Sequence, residues 1–264
     1  MTPRQHGDTE AKLSGFEARL QDGFDWANAH GREVIAGLAL LFVAGSIAAG
    51  VYEWRKRSLA EGDAELARIE ARFTQAMGAT ANDTFITEPA NADQAKKARE
   101  ASLAELDAFI AAHGLSVDQA KIASLRAAEI EVDLGRLPDA DKRLEALGAA
   151  FASDDPRRAV ALRLRGYVLD QSGNSLGAAE VYQTAAEVKA YPPRALLFVK
   201  AGEAFARARA PARAIAAYRQ ALATSPEVAE QEGIVGRIGV QQALLDAATP
   251  PPAAPPASAP ASDK

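Results

Sequence analysis

A chain of 264 residues, 48% apolar and 25% charged, has the material for one or two domains with a packed core. Its formal net charge of -5 argues against nucleic acid as the main partner, because binding a phosphate backbone draws on clustered Lys and Arg, and no basic stripe interleaved with aromatics occurs. Zero cysteines exclude disulfides, thiolate catalysis and Cys-ligated zinc.

Residues 1–33 form an N-terminal tail in which Leu13, Phe16, Leu20, Phe24 and Ala27 recur at three- and four-residue intervals, predicting an amphipathic helix suited to a membrane surface and ended by Gly31. Residues 34–52 follow without a charge, and 19 residues at about 1.5 Å of rise reach roughly the 30 Å of a bilayer's hydrocarbon core. A cleavable signal has a short basic lead, whereas here 33 residues precede the run and acids outnumber bases among them; the run reads as a retained transmembrane helix. The rival reading is a buried helix of a soluble domain. Against it, Trp26 on one flank and Tyr52 and Trp54 on the other sit where amphipathic rings favour the membrane boundary. Ala44 and Ala48, Gly45 and Ala49, and Ser46 and Gly50 lie four apart, a spacing that lets two spanning helices pack, so a homo-oligomer through the span is open.

Residues 53–246 carry helical periodicity throughout, and no alternating run with turn signals predicts a strand. Leu59, Leu66, Ile69, Phe73 and Met77 share one helix that continues from the span; Leu103, Leu106, Phe109 and Ile110 belong to a second, stopped at Gly114. Then a repeat begins. Gly166, Leu169, Ala178, Tyr182 and Ala185 are matched 36 residues later by Gly202, Phe205, Ala214, Tyr218 and Ala221, with Pro226 closing the second set. An earlier, degraded copy holds Ala128, Gly135, Ala140, Leu144 and Leu147, with Glu131 where the later copies have Leu169 and Phe205. Each type has a packing reason: Gly166 and Gly202, with Ala178 and Ala214 opposite, let paired helices approach, while Tyr182 and Tyr218 fill the gap between hairpins. Three hairpins are predicted, about 121–154, 159–192 and 195–228, and Ile234, Ile238 and Leu245 suit a closing helix whose outer face meets water. Residues 247–264 contain six prolines and nothing large to bury, predicting an extended Pro/Ala-rich tail.

These spacings resemble the tetratricopeptide repeat (TPR). The fold expected is therefore all-α: a single transmembrane helix followed by a TPR-like solenoid of helical hairpins. In that family the first helices line a concave groove, and the groove-facing positions fall here on Leu125, Glu129, Arg163, Tyr167, Gln171, Val199, Glu203 and Arg207. One aromatic, aliphatics and both signs of charge suit a polypeptide ligand.

Chemistry has no comparable support. "GNSLG", Gly173 to Gly177, fits the G-x-S-x-G elbow of serine hydrolases, but it sits at a helical turn and the histidines are only His6, His30 and His113. There is no phosphate-binding loop and no metal-ligand spacing; Asp139, Asp141, Asp154 and Asp155 read as helix caps. No enzyme activity and no cofactor or metal is expected.

The order of parts, in which "FDWANAHGREVIAGLALLFVAGSIAAGVYEWRKRS" leads straight into degenerate hairpins, resembles the YfgM family of ancillary Sec translocon subunits. That resemblance implies a single-pass bacterial inner-membrane protein, its repeat domain in the periplasm, whose partners are the translocon, a membrane-anchored prolyl-isomerase-type chaperone and translocating chains. Charge balance points the other way. Arg19 and Arg32 precede the span and Arg55, Lys56 and Arg57 follow it, which by the positive-inside rule places the hairpins in the cytoplasm as a scaffold of another membrane complex.

Overall fold

The computed structural model describes residues 31–78 and 91–248, without the side chains of 31–45, 47–49 and 54–58. The chain divides into two units, Met1–Gly62 and Asp63–Lys264. All described elements are helices: α1 (Gly31–Ala76), α2 (Ala92–His113), α3 (Asp118–Asp133), α4 (Leu137–Ala150), α5 (Pro156–Gln171), α6 (Ser175–Ala186), α7 (Arg194–Arg207), α8 (Pro211–Thr224), the short α9 (Pro226–Gln231) and α10 (Ile234–Ala248). The predicted surface helix near Leu13–Ala27 and the Pro-rich tail lie outside the described residues. Among the described residues no helix is long and apolar enough to cross a membrane. The expected span falls largely on residues whose side chains lie outside the description; Ser46, Gly50, Val51 and Tyr52 within it are exposed.

Local chemistry fixes the helix ends. Asn91 caps α2 by accepting from the backbone N–H groups of Asp93 (3.0 Å) and Gln94 (3.3 Å), and Gly114 ends it at a φ of 71°, donating to the Ile110 carbonyl at 2.8 Å. Asp155 caps α5, its carboxylate 2.8 Å from the Arg157 N–H, with Pro156 behind it at the position where a missing N–H costs nothing. This cap starts α5 three residues ahead of the expected Ala159. Pro226 differs more. It lies exposed and, besides closing the repeat after α8, opens α9, capped by Ser225, since a proline barred from extending α8 is well placed in the first turn of another helix.

The hairpins α3/α4, α5/α6 and α7/α8 stack in chain order, each element packing on the next, with α10 on α8. Their cores are layered accordingly. Leu66, Ile69, Leu103, Leu106 and Phe109 pack with Ala120, Ala123 and Ala127 of α3; Ala128, Leu144, Leu147 and Phe151 pack with Ala161 and Val168 of α5; and the largest cluster joins Leu162, Tyr182, Leu197, Phe198, Phe205, Tyr218 and Ile234. Arginines pair with acids of the neighbouring repeat: Arg72 reaches forward to Glu105, while Arg136 reaches back to Glu100, Arg207 to Asp170, Arg213 to Glu180 and Arg237 to Glu203, all joining residues 33 to 37 apart. Mostly exposed, each such pair contributes only about 0–1 kcal/mol, so their common spacing serves register more than stability.

The hairpin turns repeat too. Gly135 and Gly173 take φ values of 72° and 83°, the left-handed region that costs glycine nothing, but the third copy places Arg209 there at 57°. Arg209→Gly is expected to stabilise the chain by about 1 kcal/mol, read as a raised midpoint in thermal unfolding.

Candidate functional site

The two close helix pairs at the centre of the stack are set by glycine. A Cβ built at Gly166 would lie 2.7 Å from Cε1 of Tyr182, and one at Gly202 would lie 2.4 Å from Cε1 of Tyr218. Each tyrosine ring thus rests against the first helix of its own hairpin, and Ala178 and Ala214 of the second helices are fully buried. The sequence placed these rings between hairpins, and Tyr182 does extend to that boundary, where it lines a cleft against the next repeat.

That cleft, about 610 Å³ between α5 and α7, is walled by Leu164, Tyr167, Tyr182, Tyr191, Pro193, Leu196 and Leu197, with Arg163 and Lys200 at its edge. Tyr167 is 44% exposed and Leu196 40%, so two large apolar groups face solvent over a floor of tyrosine. Burial, helped by the nearby Asp170 carboxylate, pushes the Tyr182 phenol up to about 12, so it stays protonated at neutral pH. The arrangement suits an extended polypeptide with apolar or proline anchors: flat faces give area, and the cations at the edge favour an acidic flank.

The eight predicted groove residues divide among separate places. Arg163 and Tyr167 line this cleft, whereas Gln171, at the end of α5, is exposed outside it. Glu203 and Arg207 line a second recess of about 410 Å³ with Ala206, Tyr218, Arg237, Val240 and Gln241. Both are engaged there: Arg207 donates to Asp170 at 2.7 Å, and Glu203 accepts from Arg237 and from Lys200 at 3.1 Å. Glu129 lines a third, about 170 Å³, with Ile69, Phe73 and Leu106, and pairs with Arg126 at 2.8 Å. Leu125 packs half-buried against the α4 cluster. Val199 is 1% exposed inside the core, out of reach of any ligand, because α7 is enclosed by α6 and α8 together. Tyr191, Pro193 and Leu196 were absent from the expected set; the signal was "YPPRALL", where an aromatic and two prolines mark an extended connection entering an apolar helix start.

Burial alone would raise the Glu203 carboxyl, but Arg237 and Lys200 hold it below the usual range. A carboxyl depressed on folding contributes stability that is complete above its unfolded value and lost as pH falls through its folded one. Stability is therefore expected to decline below about pH 5, and Glu203→Gln to flatten that acid limb in pH-resolved thermal unfolding.

The G-x-S-x-G stretch is the α5/α6 turn. Asn174 caps α6 by accepting from the Gly177 N–H at 2.9 Å, and the Ser175 hydroxyl donates to Asp170 at 3.1 Å. The one described histidine, His113, lies at the end of α2 against Phe109, 3.4 Å from Glu65. Among the described residues no three His, Asp or Glu side chains gather as metal ligands.

No family model matches the chain, and no curated protein matches it. It is similar to solved structures. One is a kinesin-light-chain-type protein of Podosopora anserina built of nearly identical TPR-like repeats, at 15% identity and a TM-score of 0.44 over 69% of this chain and 93% of that one. Another is MamA, at 15% identity and a TM-score of 0.41 over 59% of this chain and 93% of that one.

Proposed function

We propose that the chain is a membrane-anchored, non-catalytic adaptor that holds other polypeptides against its helical hairpins. The observation that carries this is the α5/α7 cleft, where Tyr167 and Leu196 stand exposed beside Tyr182 and Tyr191, with Arg163 and Lys200 in the same lining. A surface of that kind binds by burying apolar area and exposes no group positioned to break a bond. The anchor reading rests on the 19 uncharged residues of 34–52 and their aromatic flanks. With the YfgM-like order of parts, it places the adaptor in a bacterial inner membrane beside the Sec translocon, its hairpins in the periplasm with a chaperone and the chains being translocated.

A second reading, a cytoplasm-facing scaffold of another membrane complex, draws on Arg55, Lys56 and Arg57 after the span. A reporter fused after Lys264 separates the two: activity only in the periplasm supports the first, and activity only in the cytoplasm overturns it. A photo-crosslinker at Ala48 is expected to capture translocon subunits. For the cleft itself, Leu196→Asp places a charge among tyrosines and is expected to weaken polypeptide binding at least tenfold, with the unfolding midpoint unchanged because Leu196 is exposed.

A further inference from the structure

The apolar wall of the α5/α7 cleft is confined to one repeat. At the same two places in their first helices, α3 carries Arg126 with Glu129 at 2.8 Å and α7 carries Lys200 with Glu203 at 3.1 Å, whereas α5 between them carries Leu164 and Tyr167. The cleft therefore seats a short segment of a bound chain.

A polar group lies among its apolar walls. Tyr182 is only 5% exposed, yet its hydroxyl makes no hydrogen bond with any described residue and keeps a small contact with solvent. One repeat later, the matching hydroxyl of Tyr218 is met by Arg237. Thirty-six residues before Arg237 stands the fully buried Ala201, whose methyl group can offer no such bond to Tyr182. A bound polypeptide that covered the cleft with carbon alone would cut the Tyr182 hydroxyl off from water and leave it unpaired.

The charges around this hydroxyl favour an anion. Asp170 accepts from Arg207 at 3.1 and 2.7 Å and from the Ser175 hydroxyl at 3.1 Å, and Glu203 accepts from Arg237 and Lys200, so both nearby acids are engaged. Arg163, which lines the cleft and acts on the phenol, has no acidic partner among the described residues. Lys200, with a side chain 56% exposed, keeps N–H groups free beyond the one given to Glu203. Because Tyr182 stays protonated at neutral pH, its hydroxyl is available as a donor.

We infer that the cleft reads one acidic side chain of a partner polypeptide, an Asp or Glu whose carboxylate accepts from the Tyr182 hydroxyl and faces Arg163 and Lys200, while an apolar neighbour packs on Tyr167 and Leu196. This deepens the adaptor reading and rests on it. Tyr182 is then the residue that sets specificity, and the exposed apolar groups supply area.

The test selects phage-displayed random peptides, which offer no free C-terminus, on the full chain in detergent micelles, and measures synthetic amidated copies by fluorescence anisotropy. Selected peptides are expected to carry an Asp or Glu beside an apolar residue, and changing that acid to its amide to lower affinity about tenfold. Tyr182→Phe is expected to lower affinity for the acidic peptide about tenfold and to leave that for the amide unchanged, while the free chain's unfolding midpoint stays within about 1 °C. Peptides that lose binding with Leu196→Asp but are indifferent to the amide exchange or to Tyr182→Phe would overturn this inference and leave the adaptor reading standing. Failure to select any peptide sensitive to Leu196→Asp would overturn both. Affinity that rises when residues 249–264 are removed would show that the chain's own tail holds the cleft, and would overturn the assignment to a partner.

Discussion

Gly202→Ala is expected to destabilise the chain by about 1–3 kcal/mol, whereas Gly236→Ala, the same substitution in another helix, is expected to stabilise it by about 0.5–1 kcal/mol. By propensity alone both should gain, because alanine loses less backbone freedom than glycine on entering a helix. The difference is what the new methyl meets. At Gly202 it would arrive 2.4 Å from a ring carbon of Tyr218, a residue only 3% exposed and hemmed by Ala214, Ala217 and Phe205, so the ring has nowhere to go without parting α7 from α8. At Gly236 it would meet nothing within 4 Å. Thermal or urea unfolding of the two variants side by side checks this, and equal shifts of one sign would show that Tyr218 does not rest on α7.

Arg143→Ala should cost about 3–5 kcal/mol, the largest effect expected of any charged residue here. Its guanidinium grips Glu131 with two hydrogen bonds of 2.9 and 2.6 Å, and reaches Asp107 at 2.9 Å. The Glu131 side chain is 5% exposed, so removing the arginine strands a carboxylate in the core. Glu131 occupies the position that Leu169 and Phe205 fill in the later hairpins, which leads to a second expectation. The double variant Glu131→Leu, Arg143→Met should unfold within about 1 kcal/mol of the parent or above it, since a buried ion pair replaced by matched apolar groups loses little. Asp107, with a side chain 49% exposed, keeps water when its partner is gone. A double-mutant cycle in urea measures the coupling directly.

The architecture was legible because helical periodicity is a local signal and the 36-residue recurrence of Gly, Ala and Tyr repeats one interface. Spacing alone marks Gly166 and Gly202 as points of close approach, but it assigns Tyr182 and Tyr218 to the gap between hairpins, not to the glycines on which their rings rest. Other features depend on neighbours that spacing does not reveal. Val199 sits at a groove position by register, yet α7 buries eight residues between its two neighbours and takes Val199 inside. Arg207 and Glu203 fall at groove positions by register; their partners Asp170 and Arg237 lie 37 and 34 residues away, a distance at which sequence shows only that opposite charges exist. The six-residue α9 is too short to show a period, so Pro226 looked like an end and not a beginning. Glu131 stood out as a polar residue at a core position, but nothing marked Arg143 as the group that neutralises it. The cleft was half visible: Arg163 and Tyr167 follow from the helix register, while Tyr191 and Pro193 come from a connection with no register to read.

An adaptor of this kind must hold polypeptides along the α5/α7 cleft. Site-specific photo-crosslinking from position 167 in living cells measures this, with position 220, an exposed site on α8, as the comparison. Adducts to other polypeptide chains from position 167, lost when Leu196→Asp is added and absent from position 220, are the predicted result. Adducts that form equally from both positions, or none from position 167, would contradict it.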